Sequence, residues 1–421
     1  MLDIKFIREN KDLFAKGAEK KHIKFNVLDL ISVDDERRNL LSSVETSRAE
    51  QNIFADKIGK ESDSNNRGAL IEQSKKAKQD LKEKEEKLAE VMKKWQGLML
   101  QVPNIPDMSV PEGDSDAQNV EVRSWGEKPK FNFKPKDQIA LFEALNMADF
   151  ERGTKVAGFR GYFLKNDAVL LCFALWQFTL DKFIKKGFTP MIVPSLVNRE
   201  PFMGTGYLPQ SEEDLYKTQD ANYLAGTAEV ATMGYYMNEV LQKSDLPKKI
   251  IAFSPCFRRE AGSHGKDTKG LVRVHEFFKV EQVVLCEASH EESVKFHEEL
   301  TGISEEIMRD LKIPHHVVAN CGGDLGLGQV KKYDIEAWVP SEEKYRETHS
   351  SSYFHDFQTR RLNIRYKDDQ GKLRFAHSLN NTALATPRIL VPLVENYQNE
   401  DGSITVPEVL RRYVGKDVIK L

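Results

Sequence analysis

After a short helical stretch over residues 1–28, the chain enters two long polar runs, each carrying one narrow apolar stripe. In the first, Leu41, Val44, Arg48, Gln51, Ala55 and Ile58 fall at alternating steps of three and four. In the second, Leu70, Ser74, Ala77, Leu81, Lys84, Leu88, Val91, Trp95 and Leu98 do the same. Such steps keep side chains on one helix face, and a stripe this narrow is a coiled-coil seam. Between the runs lies SDSNNRG (62–68), rich in turn formers and able to reverse the chain. The pattern predicts an antiparallel two-helix arm, roughly 40–50 Å long at ~1.5 Å per residue. Polar residues at several seam positions make such a pair marginal on its own.

The prolines of VPNIPDMSVPEG (102–113) end the second helix and mark a domain boundary, giving expected domains of 1–105 and 106–421. Beyond it the pattern predicts a long helix over 167–186. Short β-rich runs follow: TPMIVPSLV, KKIIAFSPCF, GLVRVHEFFKVEQVVLC and RRLNIRYK. Their order is irregular rather than a steady βαβ repeat. The expected fold class is therefore α+β, a mostly antiparallel sheet flanked by helices. No G-x-x-x-x-G-K-[ST] or G-x-G-x-x-G loop is present, so a bound nucleotide needs another kind of site.

Composition narrows the picture in three ways. Hydrophobic residues make up 40% and charged ones 30% of 421, a globular balance with enough chain for more than one core. The net charge of −3 supplies no global attraction for nucleic acid, so any such contact needs a local basic surface. Cys172, Cys256, Cys286 and Cys321 are far apart and form no C-x-x-C pair, which argues against zinc and against a disulfide framework. The start MLDIKFIRENKDLF is charged from its third residue, and no run approaches the roughly 20 apolar residues of a membrane span. The expectation is a cytoplasmic protein with no membrane partner.

Four segments carry candidate chemistry. FSPCFRREAGSHGKDTKGLVRVHEFFKVEQ (253–282) reads as strand, long charged loop, strand. A loop holding Arg258, Arg259, Lys266, Lys269 and Arg273 suits a polyanion, since arginine grips phosphate oxygens with two prongs. A solvated hairpin tip is the alternative. Thr227-Ala228-Glu229 alone reads as a helix cap. YRETHSSSYFHDFQTRRLNIRY (345–366) alone reads as an ordinary strand and loop. In HSLNNTALATPRILVPLVENYQ (377–398), Pro387 can open a helix with Arg388 in its first turn. On the arm, Lys75, Lys76, Lys78 and Lys82 are either a solvated helix face held by i,i+4 pairs or a set of phosphate contacts.

Phe257-Arg258-Arg259-Glu260, the glycine-rich loop and Arg273-Val274-His275-Glu276-Phe277 together resemble motif 2 of the class II aminoacyl-tRNA synthetases. REAGSHGKDTKGLVRVHEFFKVE looks like the seryl version, with about two dozen positions agreeing in order. The segment 377–398 resembles motif 3, and GFTPMIVPSLV with Pro194 resembles motif 1, which in this family builds a homodimer interface. The resemblance runs along nearly the whole chain, the arm included.

The resemblance implies serine activation with ATP, then transfer of the seryl group to tRNA(Ser), with tRNA(Sec) left open. It implies three catalytic residues, Arg258, Glu347 and Arg388. Arg258 would hold the serine carboxylate and the α-phosphate. Phe277 would stack on adenine, with Glu260 near its amino group and Val274 adding backbone contacts. Arg273 and Arg388 would face the outer phosphates, with Mg2+ on Glu347 and Ser350. Arg259, Thr348 and His349 complete the implied ATP-binding positions. L-serine would lie among Thr227, Ala228, Glu229, Arg258, Glu281, Asn380 and Thr382. The arm would grip the long variable arm of the tRNA, by analogy alone. Two departures stand out: Asn381-Thr382-Ala383 where many bacterial relatives carry Gly-Ser-Gly, and His349 where serine is frequent. A paralogue that loads a carrier protein would lack the long arm. A non-enzymatic regulatory paralogue would have lost Arg258, Glu281, Glu347 or Arg388.

Overall fold

A computed structural model describes every residue except Met1, Ser263, His264 and Lys266. The chain forms two compact units, Met1–Glu19 with Ile23–Ile105, and Lys20–His22 with Pro106–Leu421.

The first unit holds α1 (Ile4–Glu9), α2 (Lys11–Lys20), α3 (Val27–Lys60) and α4 (Ser64–Gln101). Asn26 caps α3 by accepting from the Leu28 N–H at 3.0 Å, and Asp63 caps α4 by accepting from Asn65 and Asn66. Reversal therefore takes only residues 61–63. Asn65, Asn66 and Gly68, expected in the turn, belong to α4 because the Asp63 side chain satisfies its first donors.

All nine α4 seam positions are buried or half-buried, as the spacing predicts. On α3 the prediction is half right. Val44, Gln51 and Ile58 lie in the seam, whereas Leu41, Arg48 and Ala55 are exposed. Leu40, Ser47 and Phe54 take their places and extend a 3,4 rhythm from Leu30 through Val33 and Arg37. Positions three and four residues from Val44 share its face equally, and the flank on which α4 lies selects between them. The polar seam residues are paired: Lys84 donates to Ser47 at 3.0 Å, and the Arg37 guanidinium lies 4.7 Å from the Trp95 ring centre. Arg48 reaches across to Glu85 at 2.7 Å. Ile7, Phe14, Val27, Leu30, Met99 and Val102 form the apolar core of this unit.

The second unit is built on an eight-stranded sheet: β1 (Val120–Trp125), β2 (Thr189–Ile192), β3 (Lys248–Phe257), β4 (Glu276–Cys286), β5 (His315–Ala319), β6 (Lys331–Val339), β7 (Lys344–His355) and β8 (His377–Thr386). Their spatial order is β1-β5-β6-β7-β8-β4-β3-β2, antiparallel throughout except for the parallel pair β2–β3. The helices that matter to the site are α5 (Asp167–Lys185), α6 (Arg199–Thr205), α7 (Ala228–Tyr235), α8 (His290–Asp310), α9 (Phe357–Leu362) and α10 (Leu390–Asn396). Leu171, Leu175, Phe296, Leu300, Ile303 and Ile307 of α5 and α8 pack with Val280, Val284, Leu379 and Leu384 to make the main core. Burial of this continuous apolar face supplies most of the drive to fold, at ~25 cal/mol per Å2.

Two strand expectations shift. The strand expected from Gly270 begins only at Glu276, with 270–275 irregular, and the RRLN of RRLNIRYK ends α9, leaving Arg365–Lys367 as strand. The β3–β4 ladder closes at the Phe257–Glu276 pair, and Asn363, in the left-handed conformation, caps the end of α9 before the strand begins.

Candidate active site

Alternation along a strand sends successive side chains to opposite faces. On β4, Phe277, Lys279 and Glu281 line a cleft of about 310 Å3, while Gln282 on the other face donates to Ser304 of α8 at 2.9 Å. On β8, Asn380 and Thr382 line the cleft. Asn381 points to α8, donating to the Leu300 carbonyl at 2.8 Å and to Ser304 at 3.0 Å. On β7, Ser350 and Ser352 share the cleft face. Glu347 has the opposite parity, yet it lines the cleft as well. A register shift in the β6–β7 pairing, between the Ile335–His349 and Glu336–Glu347 pairs, inserts one residue and turns Glu347 to the side of Ser350.

One end of the cleft is acidic and tightly hydrogen-bonded. Glu281 is 2% exposed and accepts from the Thr227 hydroxyl at 2.5 Å, the Glu229 N–H at 3.0 Å and Lys279 Nζ at 2.8 Å. Lys279 also donates to Thr227 at 2.8 Å. Thr227 is the N-cap of α7, so the helix start holds this hydroxyl in place. Glu229 accepts from Gln358 at 2.5 Å and from the Tyr207 hydroxyl at 3.2 Å. Burial, with Glu281 close by, raises its carboxyl to about 7. A small zwitterion with an ammonium group and a hydroxyl matches these donors and acceptors.

The other end gathers arginines. Arg258, leaving β3, donates to the Gly226 carbonyl at 3.4 Å and lies 5.4 Å from the Phe277 ring centre. Arg388 donates to the Val272 carbonyl at 3.0 Å and lies 3.8 Å from the Glu347 carboxylate. Burial, and then the neighbouring Arg258 and Arg273, lower the Arg388 guanidinium below its ordinary value. Concentrated positive charge beside an aromatic face suits a nucleotide with its phosphates. Arg388 sits in the turn Pro387–Ile389, ahead of α10, and not in its first turn as expected.

Thr227, Glu229, Arg258, Glu260, Val274, Phe277, Glu281, Glu347, Thr348, Ser350, Asn380, Thr382 and Arg388 thus come together from distant parts of the chain. Four expected positions stand outside the cleft wall. Ala228 is buried inside α7, and Arg259 is exposed. Arg273 pairs with Glu260 and Asp267, both at 3.1 Å, beside the arginine cluster. His349 lies on the rear face, bonded to the Ala383 carbonyl at 3.1 Å, and burial lowers its imidazole to about 3. Of the departures noted in the sequence, Asn381 and His349 therefore face away from the cleft, while Thr382 lines it. Lys266 lies outside the described residues.

Sequence reading missed several residues in the wall and behind it. Lys279 sits at the same parity as Phe277 and Glu281, a signal that was available. Tyr207 and Gln358 had no local pattern. Asp334, opposite Ser350 across β6–β7, is buried and raised to about 6 chiefly by desolvation, and its Oδ1 has no hydrogen-bond partner. Lys21 donates to the carbonyls of Gly326 (3.1 Å), Leu327 (3.1 Å) and Gln329 (2.5 Å), a segment of the cleft wall. On the arm, Lys75, Lys76, Lys78 and Lys82 are exposed; Lys75 pairs with Glu72 at 3.0 Å and Lys82 approaches Glu86 at 3.8 Å.

Residues 215–397 match the family model for the tRNA synthetase class II core domain (G, H, P, S and T), and residues 1–106 match the seryl-tRNA synthetase N-terminal domain. A serine–tRNA ligase of Deinococcus radiodurans is 47% identical over 416 residues, covering 99% of this chain and 98% of that protein. One from Rubrobacter xylanophilus is 40% identical over 421 residues, covering 100% and 99%. Among solved structures, the seryl-tRNA synthetase of Pyrococcus horikoshii complexed with ATP superposes with a TM-score of 0.91 at 40% identity, covering 100% of this chain and 99% of that one. The cytoplasmic serine–tRNA ligase of Naegleria fowleri in complex with AMP gives 0.87 at 33%, with the same coverage. Two family models that together span most of the chain, and relatives aligned from end to end, agree with the two-ended cleft: the chain belongs to the seryl-tRNA synthetases of class II.

Proposed function

We propose that the cleft holds serine at its Thr227–Glu229–Glu281 end and ATP over Phe277 and the arginines, so that one site serves both steps of the family reaction. As a member of that family, the chain activates serine with ATP and transfers the seryl group to tRNA(Ser). In the first step the serine carboxylate attacks the α-phosphorus, forming seryl-adenylate and releasing pyrophosphate. In the second, the ribose hydroxyl at the tRNA 3′ end attacks the seryl carbonyl and AMP leaves. Neither step needs a protein nucleophile; both need alignment and charge neutralisation.

Each residue's role follows from its neighbours. Glu229 takes the serine ammonium, and Thr382 and Asn380 face its hydroxyl side. Arg258 lies between the two ends and bridges the serine carboxylate and the α-phosphate. Arg388, with Arg273 beside it, draws charge from the departing pyrophosphate. Magnesium fits Glu347 and Ser350: both line the cleft and supply oxygen, the donor a hard cation takes. Bound there, it would neutralise phosphate charge.

Residues 1–105 serve as the tRNA-binding domain and 106–421 as the catalytic domain. The exposed lysines Lys75, Lys76, Lys78 and Lys82 touch tRNA phosphates, and β2 with its flanks forms a homodimer interface. Ile192 of β2 is 85% exposed, which an uncovered edge strand would not favour. The observation that carries the functional reading is the buried Thr227–Lys279–Glu281–Glu229 cluster opposite an arginine cluster within a single cleft. ATP–pyrophosphate exchange with each amino acid in turn tests it. Serine should be strongly preferred over alanine, because a hydrogen-bonding pocket rejects an analogue that leaves its polar groups unpaired. Equal exchange with both would overturn the serine assignment.

A further inference from the structure

Gln358, near the start of α9, is 1% exposed and has no place in the reading above except as a neighbour of Glu229. Its Nε2 donates to Glu229 Oε1 at 2.5 Å and to the Thr205 carbonyl, at the end of α6, at 3.4 Å. Its Oε1 accepts from the Ser378 hydroxyl of β8 at 2.7 Å. These contacts settle which way the amide lies. A backbone carbonyl only accepts, so the side facing Thr205 must carry the NH2 group. The reversed amide would set its oxygen against the Thr205 carbonyl and the Glu229 carboxylate together. The Ser378 hydroxyl then completes the amide from the opposite side. Gln358 is thus locked as a donor toward Glu229.

Glu229 is 3% exposed, and its other oxygen accepts from Tyr207. The charged and titratable groups around it are Glu281 and Lys279 from β4, Tyr207 from the segment after α6, and Arg258 at the end of β3. Glu281 disfavours a negative charge on Glu229, whereas Gln358, Lys279 and Tyr207 favour it. A donor locked on one carboxylate oxygen keeps the group an acceptor and fixes its plane.

We propose that Gln358 is a positioning residue of the amino-acid subsite: held by Ser378 and Thr205, it orients the ionised Glu229 carboxylate toward the substrate's ammonium group. The proposal rests on the reading that Glu229 receives that group. It makes α9 a part of serine recognition although α9 does not line the cleft.

The test is serine-dependent ATP–pyrophosphate exchange from pH 6 to 9 with Gln358→Leu, Ser378→Ala and Glu229→Gln. For Gln358→Leu the KM for serine should rise roughly tenfold or more at pH 7, as for losing a hydrogen bond to a charged group. The KM for ATP should stay within about twofold. The serine defect should shrink toward pH 9, because without its donor the Glu229 carboxyl ionises only at higher pH. Ser378→Ala, which frees the amide and leaves Glu229 in place, should show a smaller rise with the same pH trend. It carries the test if Gln358→Leu does not fold. An unchanged KM for serine in either folded variant, or equal rises for serine and ATP, would overturn the positioning role. If Glu229→Gln itself leaves the KM for serine unchanged, the subsite reading has failed and the proposal goes with it. If Glu229→Gln raises it and Gln358→Leu does not, only the positioning role has failed.

Discussion

Replacing Lys279 by methionine removes the only ammonium that, among the described residues, contacts a carboxylate that is 2% exposed. Lys279 Nζ lies 2.8 Å from Glu281 Oε1 and is itself 5% exposed, so neither partner can turn to water when the other is lost. At an effective dielectric of about 20, opposite charges at that separation attract by roughly 6 kcal/mol before desolvation is counted. Breaking a buried pair from one side typically costs about 3–5 kcal/mol, because the remaining charge is stranded. Glu281 keeps two donors, the Thr227 hydroxyl and the Glu229 N–H, which puts the expected loss at the lower end, about 3 kcal/mol. Urea unfolding, followed by calorimetry, would measure it in the wild type, Lys279→Met, Glu281→Gln and the double variant. The double variant replaces the stranded charge with a neutral amide and should recover most of the loss. A destabilisation below about 1 kcal/mol, or effects that simply add in the double variant, would refute the argument that the pair is dry and coupled.

Arg388→Ala should lower adenylate formation by roughly two orders of magnitude or more, as for loss of a preorganised charge contact, with folding little changed; single-turnover kinetics would report it. Thr382→Val should raise the KM for serine without loss of stability, whereas Asn381→Ala, one residue away, should cost about 1–3 kcal/mol of stability and leave that KM unchanged, because its amide bonds α8. The Glu229 carboxyl is raised from 4.5 to about 7 by burial, so between those values the folded chain binds a proton that the unfolded chain has released. The Glu229 contribution to unliganded stability should accordingly fall as pH rises through that window, and it should appear as a pH-dependent difference between the wild type and Glu229→Gln in thermal melts at several pH values. Deleting residues 32–98 with a short glycine linker should leave serine activation near normal and sharply lower tRNA charging, and tRNA binding should lose much of its salt dependence.

Much of this was legible in the sequence where a period or a motif existed. The α4 seam follows from spacing because all nine positions lie on one stripe. The α3 seam does not, since Leu41 and Leu40 are equally placed relative to Val44 until the partner's flank is known. The cleft residues of β4 and β8 are found by resemblance, yet strand parity separates the positions that face substrate from those that do not. His349 counts among the implied ATP-binding positions, and Asn381 among the departures beside the serine position, because motifs are linear, while the sheet sends alternate residues behind it. Gln358, Tyr207 and Asp334 left no trace, because their partners lie 129, 22 and 16 residues away and only the folded sheet brings them together.

The two-sided strands β4 and β8 divide the chain's freedom to vary by odd and even number. Front positions such as Asn380, Thr382, Lys279 and Glu281 answer to the chemistry of one small molecule, which never changes. Rear positions such as Asn381 and Gln282 answer to α8, which can change with them. A pair of substitutions, one on the helix and one on the back of a strand, can therefore drift together while serine sees the same surface. A tolerance map of these strands should oscillate with a period of two residues, broken by one step at the register shift beside Glu281. Divergence from relatives is then no measure of changed specificity until each difference has been assigned a side.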